Sequence, residues 1–340
     1  MLSEIVTPAA PVFDYSNLGS YIPMMAMRPI EEVFSWMNMV IYGDYGVGKT
    51  WLAGSAVLVP QMCDILYLAL EGGEKALKEI IRLCKHRGID PNRIMVLPIQ
   101  TYKQYAQIYE TLRVHIKYRD SNNIEGLRNI EIQLRGVEML MKVGWQPSSV
   151  EPEVIIKEMQ TAILTLCKDK AKVAELIPAP HKFRTVITDS LTEAQKYCMY
   201  QILGIDPLKQ KIDAEPDAPE WKDWGGSREM TQFLVRRYRG LDIHSIFICG
   251  RGQEQDARKQ YHYSPLLPGQ LSNDIRGLLD VVGYLQKIPQ EGGKVVRRLY
   301  LEGGAYSGFH ISAKHRFGSN LKGLWVDNPT MQTLYNLDND

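Results

Sequence analysis

A phosphate-binding loop behind a short apolar strand is the feature that most constrains this chain. Residues 43–50 read Gly-Asp-Tyr-Gly-Val-Gly-Lys-Thr, which fits G-x-x-x-x-G-K-[ST], and Met37–Tyr42 in front of them is apolar. In such a loop, backbone N–H groups converge on phosphates, the lysine neutralises the outer phosphates and the hydroxyl reaches magnesium. A helix that begins near Lys49 adds the positive end of its dipole at the same place. The sequence therefore predicts a site for a nucleoside triphosphate, with ATP and Mg²⁺ as cofactors.

The predicted nucleotide contacts are the loop residues and the first residue after them. They are Gly43, Asp44, Tyr45, Gly46, Val47, Gly48, Lys49, Thr50 and Trp51. Among these, Lys49 is assigned to catalysis and Thr50 to magnesium. The side chain of Asp44 occupies a variable position of the motif and receives no separate role.

Length, charge and cysteine usage exclude several other classes of protein. The 340 residues are enough for one large α/β domain or two modest ones. Five scattered cysteines without a C-x-x-C pair indicate a reducing compartment and no zinc site. A formal net charge of +1 means that any nucleic-acid binding must come from a local basic surface. The amino terminus lacks a signal-peptide pattern and no apolar run approaches the ~20 residues of a membrane span, so we expect a cytoplasmic protein without a membrane partner.

Alternating apolar runs and helical patterns predict an α/β fold, with a mostly parallel twisted sheet flanked by helices. We expect strands at Met37–Tyr42, Ile65–Leu70, Ile94–Leu97, Phe183–Thr188, Ser245–Cys249, Val281–Gln286, Arg297–Leu301 and His310–Ala313. Between Tyr102 and Pro180 the apolar spacing is helical only; one such face would run through Ile130, Leu134, Val137 and Met141. We divide the chain into an N-terminal arm (1–30), a core (31–117 and 181–325), a helical insertion (118–180) and a C-terminal tail (326–340).

Two acidic residues follow predicted strands and complete the expected catalytic site. Asp189 ends the strand before Ser190 and is the expected magnesium partner of Thr50. Glu71 follows the second strand and precedes two glycines. Because ligands gather at the carboxyl ends of parallel strands, Glu71 would face the phosphate loop and polarise the attacking water. Glu193 is the alternative base, but Ser190-Leu-Thr-Glu193 matches a capping box that opens a helix, which gives this glutamate a structural role.

These motifs resemble the RecA/Rad51 core, and in particular the phage-type RecA-like ATPases, the Sak4-like group of phage nucleotide-binding proteins. The resemblance covers Met37–Ile116 and Phe183–Leu321. It rests on Gly43–Thr50, Leu66–Gly73, Val186–Glu193, Asp223–Gly225, Pro265–Gly269 leading to Asp280–Tyr284, and Ala313–Gly318. The long insertion departs from the family, as does Arg251, where a small polar or histidine-like residue is expected. The resemblance implies a RecA-like P-loop NTPase core and a phage-encoded protein in the host cytoplasm.

Further roles follow from the resemblance alone. Lys314 and Arg316 lie two apart on a predicted strand and would point the same way. RecA-like filaments place such a cation pair against the γ-phosphate of the neighbouring subunit, which implies catalytic roles for both and a homo-oligomer, either a ring or a filament. Gln253 occupies the place where RecA-like proteins couple the γ-phosphate to a DNA-binding loop. Arg251 competes for that role.

Two stretches without periodicity carry basic and aromatic residues. Ile205–Ser227 contains lysines and tryptophans but also six acidic residues that would repel phosphate. Gly252–Asn273 is the better candidate for single-stranded DNA, because cations track phosphates and aromatic rings stack on bases. Its expected nucleic-acid contacts are Arg258, Lys259, Tyr261 and Tyr263.

The sequence as a whole predicts an ATPase that single-stranded DNA stimulates and that acts in recombination or strand annealing. An annealing or single-strand-binding protein would be a further partner. Two alternatives stay open. One is a regulatory or assembly ATPase whose partner is a protein; the other is a P-loop small-molecule kinase, which would need a lid with clustered arginines.

Overall fold

The structure is a computed structural model. It describes residues 36–340 except 150, 210–217, 258, 307–308, 319–320, 322 and 340. The predicted N-terminal arm lies outside the described residues. The strands in the described part are β1 (Asn38–Tyr42), β2 (Ile65–Ala69), β3 (Ile94–Pro98), β4 (Thr185–Asp189), β5 (His244–Cys249), β6 (Arg251–Gln255), β7 (Tyr261–Pro265), β8 (Val281–Pro289), β9 (Val295–Tyr300), β10 (Gly304–Tyr306), β11 (Phe309–Ile311) and β12 (Trp325–Asp327).

Helices connect most of these strands. The α-helices are α1 (Lys49–Gly54), α2 (Lys78–His86), α3 (Tyr102–Asp120), α4 (Ile124–Lys142), α5 (Pro152–Lys168), α6 (Lys170–Leu176), α7 (Leu191–Ile202), α8 (Trp221–Arg239), α9 (Leu271–Leu278) and α10 (Met331–Asn339). Short 3₁₀ helices lie at Ser55–Leu58, Pro60–Met62, Gly73–Leu77, Pro91–Arg93 and Glu291–Gly293.

The main sheet has eight strands in the order β12-β9-β8-β1-β5-β4-β2-β3. Strands β8, β1, β5, β4, β2 and β3 are parallel, whereas β9 and β12 are antiparallel additions at one side. Every residue of β1, β2, β4 and β5 is buried, as expected for strands covered on both faces. The prediction of an α/β fold with a mostly parallel sheet flanked by helices is therefore confirmed.

Alternate residues of β1 enter different apolar cores, one on each face of the sheet. Val40 and Tyr42 pack in one core, and Met39 and Ile41 in the other. This alternation follows from the two-residue repeat of a strand. The parallel pairing of β1 with β5, of β5 with β4 and of β4 with β2 brings their carboxyl ends to one edge, where the phosphate loop begins.

Helices α4, α5 and α6 share a small apolar cluster of their own, separate from the two cores of the sheet. It comprises Ile132, Met139, Leu140, Leu166, Val173 and Ile177. The face predicted for α4 is wrong in its second half, because Val137 and Met141 are exposed. Gly136 has φ 28° and ψ −99°, which interrupts the helix and shifts its buried face. The division of the chain into core, insertion and tail stays a prediction.

A second sheet, with the order β10-β11-β7-β6, corrects the interpretation of Gly252–Asn273 as aperiodic. Most of that stretch is the antiparallel hairpin β6–β7 followed by the start of α9. The sequence of β6, Arg-Gly-Gln-Glu-Gln, has no apolar alternation, so pairing with β7 rather than periodicity defines it. The other stretch, Ile205–Ser227, also ends in regular structure, because α8 begins at Trp221.

Candidate active site

The phosphate loop runs from the end of β1 to the start of α1, as the sequence predicts. At Gly43 a Cβ atom would lie 2.2 Å from the carbonyl oxygen of Leu285 on the neighbouring strand, so only glycine fits the turn. The Lys49 Nζ donates to the carbonyl oxygens of Gly43 at 2.9 Å and Asp44 at 2.8 Å. Burial lowers the pKa of Lys49, while the nearby carboxylate of Asp189 opposes this shift. The two hydrogen bonds hold the Lys49 amine beside Gly43 and Asp44, the first two residues of the loop.

Asp189 ends β4 and meets α1 across the edge of the sheet. Its buried carboxylate accepts a hydrogen bond from the Thr50 hydroxyl at 2.7 Å and another from the hydroxyl of Tyr67 on β2. A hydroxyl beside a carboxylate is a donor set that suits Mg²⁺, which takes its remaining ligands from phosphates and water. Thr50 and Asp189 therefore fit a magnesium ion bound together with a nucleotide. Within the described ranges, no group of three or more His, Cys, Asp or Glu residues forms a separate metal site.

Glu71 lies just beyond β2, next to the strand that carries Asp189. The hydroxyl of Ser190, the residue after Asp189, donates to Glu71 Oε1. Desolvation raises the pKa of Glu71, and the carboxylates of Asp189 and Glu193 raise it further, although the Ser190 hydrogen bond acts in the opposite direction. A carboxylate with a raised pKa is a better proton acceptor, which suits a general base.

Ser190 and Glu193 lie at the start of α7, where the structure shows the serine half of the predicted capping box. The Ser190 hydroxyl accepts from the backbone N–H of Glu193 at 3.3 Å and caps the helix. The Glu193 carboxylate pairs with Lys196 one turn further along. Ser190 thus links the cap of α7 to Glu71.

Arg251 connects the phosphate loop to the β6–β7 hairpin. Its Nε lies 2.9 Å from Asp44 Oδ1, and its Cζ lies 4.4 Å from the ring centroid of Tyr263. Gln253 lies two residues further along β6, is exposed, and pairs with Tyr263 across the hairpin. Of the two residues considered as phosphate sensor, Arg251 is therefore the one that contacts the loop. Its partner is the side chain of Asp44, to which the motif alone assigns no role.

The residues expected to contact nucleic acid differ in exposure. Lys259 is exposed and has φ 60°, and Tyr261 is 40% exposed. Tyr263 points inward, and the centroid of its ring lies 5.2 Å from the ring centroid of Phe309 and 5.6 Å from that of Tyr284. Arg258 lies outside the described residues. Lys259 and Tyr261 are accessible to a ligand, whereas Tyr263 serves mainly to pack the small sheet on the main one.

Lys314 and Arg316 lie away from the phosphate loop of their own chain, and they are not on a strand. Lys314 forms a single antiparallel bridge with Val282, and Arg316 Nη1 pairs with Asp280 Oδ1 at 2.8 Å. Asp280 precedes β8 beside the first residue of β1, at the opposite end of the sheet from Lys49. Burial and the Arg316 charge lower the pKa of Lys314. Within its own chain the pair is therefore at the opposite end of the sheet from the phosphate loop.

Sequence reasoning missed Arg297 as a neighbour of the site. This residue lies on β9 with its side chain against Gly48 of the loop and 5.7 Å from the Trp51 ring centroid. Its backbone N–H donates to Asn328 Oδ1. The sequence carried no signal for this contact, because it depends on the register of β9 against β8.

Comparison with known proteins gives a family match. The family model for the AAA domain matches residues 36–305. Among solved structures, the crystal structure of the RadB recombinase is similar to this chain at 15% sequence identity and a TM-score of 0.37, over 86% of each chain. A likeness this distant carries no argument about function. No curated protein matches the chain, and no helix in the described part is long and apolar enough to cross a membrane.

Proposed function

Since the chain belongs to the AAA domain family, whose members are P-loop ATPases, we propose that it couples ATP hydrolysis to single-stranded DNA in recombination or strand annealing. The nucleotide is ATP with Mg²⁺. Its phosphates lie in the loop of residues 43–50, with Lys49 at the outer phosphates and Thr50 and Asp189 at the magnesium ion. When bound, magnesium neutralises charge on the phosphate oxygens.

Glu71 is the proposed general base. The water oxygen attacks the γ-phosphorus, the bond to the β–γ bridging oxygen breaks, and the water proton passes to the Glu71 carboxylate. The Ser190 hydroxyl holds Glu71 Oε1 and so orients the carboxylate. Lys49 stabilises charge that develops on the transferred group. Glu193 takes no part, because its carboxylate pairs with Lys196.

One observation carries the proposed coupling to DNA, namely the position of Arg251 between Asp44 and Tyr263. A γ-phosphate in the loop competes with Asp44 for the guanidinium. Because Arg251 also covers the Tyr263 ring, a shift of its side chain alters the support of the hairpin that presents Lys259 and Tyr261. Nucleotide state and DNA affinity are linked in this way, and the linkage is reciprocal.

The proposed functional form is a homo-oligomer, a ring or a filament, in which Lys314 and Arg316 complete the site of the next subunit. We also assign the chain to the phage-type Sak4-like group, with an annealing or single-strand-binding protein as partner. The resemblance of its motifs to that group supports these finer assignments. The position of Lys314 and Arg316 far from their own Lys49 is compatible with action in trans.

The experiment that tests this function measures phosphate release with and without single-stranded DNA. We expect DNA to raise the rate of the wild-type protein. Arg251→Ala should lower the ratio of stimulated to basal rate far more than Gln253→Ala, because only Arg251 contacts the loop. Equal loss in both variants would remove Arg251 as the sensor. A wild-type ATPase indifferent to DNA would support the regulatory alternative with a protein partner.

A further inference from the structure

Arg297 places a buried, unpaired donor beside the phosphate loop. Its Nε is buried and has no hydrogen-bond partner. A Cβ atom on Gly48 would lie 2.8 Å from this Nε and 3.2 Å from Cδ, so the arginine occupies the space that the glycine leaves open. Gly48 has φ 105°, which is also a conformation that favours glycine. The close approach of the Arg297 side chain to the loop therefore depends on a glycine at position 48.

The path of the chain explains why β9 reaches this place. Strand β9 runs antiparallel to β8, with Arg297 opposite Lys287. Because β8 is parallel to β1, its carboxyl end lies at the edge where the loop begins, and the first half of β9 returns to that edge. Arg297 therefore lies beside the phosphate loop of its own subunit. Lys314 and Arg316, in contrast, lie at the other end of the sheet from that loop.

A buried Nε–H donor without an acceptor is unfavourable, and the acceptor that suits an arginine best is an anionic oxygen. Gly48 and Trp51 flank Lys49 and Thr50, so the guanidinium lies beside the two loop residues assigned to the outer phosphates and to magnesium. We propose that Arg297 donates to the phosphate chain of the nucleotide bound in its own subunit. This inference rests on the proposed nucleotide site and adds a cation that the loop motif does not contain.

The neighbouring Arg298 provides a matched control on the same strand. Its guanidinium forms a two-point ion pair with Asp327, at 2.7 and 2.8 Å, and covers the Trp325 ring instead of the loop. Alternate residues of a strand point to opposite faces, so the two arginines share a backbone environment but not a ligand. Loss of Arg298 removes an ion pair and leaves the loop untouched.

The test measures the affinity of the full chain for Mg²⁺-ATP and for inorganic tripolyphosphate by calorimetry. Arg297→Ala should weaken both ligands about tenfold or more, the usual loss for a charge-assisted hydrogen bond. Arg297→Met, which keeps the length of the side chain without donors, should do the same. Arg297→Lys should recover part of the affinity, whereas Arg298→Ala should stay within about twofold of wild type.

Three results would overturn the inference. Unchanged affinity in both Arg297→Ala and Arg297→Met would show that the guanidinium is not a ligand contact. Tighter binding would show that it fills the place of the nucleotide and must leave. A loss for ATP with tripolyphosphate unaffected would place the contact on the nucleoside. If wild-type protein binds neither ligand, or Lys49→Ala binds both as wild type does, the proposed nucleotide site itself is wrong.

Discussion

The carboxyl edge of the main sheet and the β6–β7 hairpin differ in how their functional side chains are held. At the edge, Asp189 is 4% exposed and accepts hydrogen bonds from α1 and β2. On the hairpin, Lys259 and Tyr261 are exposed and bring charge and an aromatic ring to the surface. Phosphoryl transfer requires groups fixed in place, whereas binding to single strands of any sequence requires a charged surface with stacking rings. The two regions meet at Arg251.

The largest effect is expected from a substitution in the nucleotide site itself. Lys49→Ala should abolish ATP hydrolysis, because among the described residues of the loop no other side chain brings a positive charge to the outer phosphates. Lys85→Ala, an exposed lysine on α2, is the control and should hydrolyse ATP at the wild-type rate. Phosphate release and nucleotide binding are measured for both. Hydrolysis by Lys49→Ala at the wild-type rate would place the site elsewhere.

A second prediction asks whether the carboxyl edge is complete within one subunit. Removal of Lys314 and Arg316 together should slow hydrolysis about a thousandfold or more, as loss of a cation at the γ-phosphate does in related chemistry. The double mutant keeps its own Lys49, and Lys49→Ala protein keeps its own cation pair. Mixing the two inactive proteins should therefore restore part of the activity at mixed interfaces.

Two measurements control the mixing experiment. Light scattering gives the oligomeric state at the working concentration, and hydrolysis per subunit should rise with protein concentration. Absence of recovery in a protein that stays monomeric would mean that the pair has no role at a neighbouring site. Arg316→Ala alone also loses its ion pair with Asp280, so Asp280→Ala is the variant that separates this local contact from action on phosphate.

The third prediction separates the two glutamates near Asp189. Glu71→Gln should slow hydrolysis about a hundredfold or more with ATP binding retained, because the amide cannot accept the water proton. Glu193→Gln should hydrolyse ATP at close to the wild-type rate, since its carboxylate is engaged with Lys196. Single-turnover rates and nucleotide affinity are measured for each. Slow hydrolysis in Glu193→Gln with a normal Glu71→Gln would reverse the assignment.

The same assignment predicts a pH dependence. Partial burial and two neighbouring carboxylates raise the pKa of Glu71 above the usual glutamate value. A base must be deprotonated to act, so hydrolysis should fall as the pH falls, with a midpoint above the ordinary range for glutamate. Glu71→Gln should lack this acidic limb. An identical limb in both proteins would assign it to another group.

The edge was largely predictable from the sequence, for a physical reason. Each of these functional groups lies at the carboxyl end of a buried strand, and parallel strands bring their carboxyl ends together. The groups are the loop Gly43–Thr50 after β1, Glu71 after β2 and Asp189 as the last residue of β4. The capping role of Ser190 was likewise readable from its spacing to Glu193, because a helix cap is local. The roles assigned to these residues in catalysis stay predictions.

The hairpin and Arg297 were not predictable in the same way. Strand β6 has no apolar alternation and depends on pairing with β7, so local periodicity could not reveal it. The contact between Arg297 and Gly48 depends on how β9 returns beside β8, which single-sequence patterns do not specify. The buried face of α4 was misplaced because Gly136 interrupts a helical repeat that the apolar spacing treated as continuous.

The smallest expected effect concerns DNA binding by the hairpin. Replacing Arg258 and Lys259 with Ala should weaken binding of single-stranded DNA and flatten its dependence on salt. Each phosphate that the protein no longer neutralises lowers the slope of log affinity against log salt by about 0.7, because fewer counterions are released. ATP hydrolysis without DNA should change little, since Lys259 is exposed in the turn between β6 and β7. Affinity is measured by fluorescence anisotropy at several salt concentrations.

A matched control separates a local site from the general charge of the protein. Lys78 and Lys85 are exposed on α2, and their double replacement removes the same formal charge outside the hairpin. If the hairpin binds DNA, only the Arg258/Lys259 variant should show a flatter slope, and Tyr261→Ala should weaken affinity at unchanged slope because a ring stacks without releasing counterions. Equal effects in the two double mutants would mean that the general charge of the protein attracts the DNA and that the hairpin is not a local site. Unchanged affinity and slope in a folded Arg258/Lys259 variant would move the DNA site away from the hairpin, and the contact of Arg251 with Tyr263 would then serve packing alone.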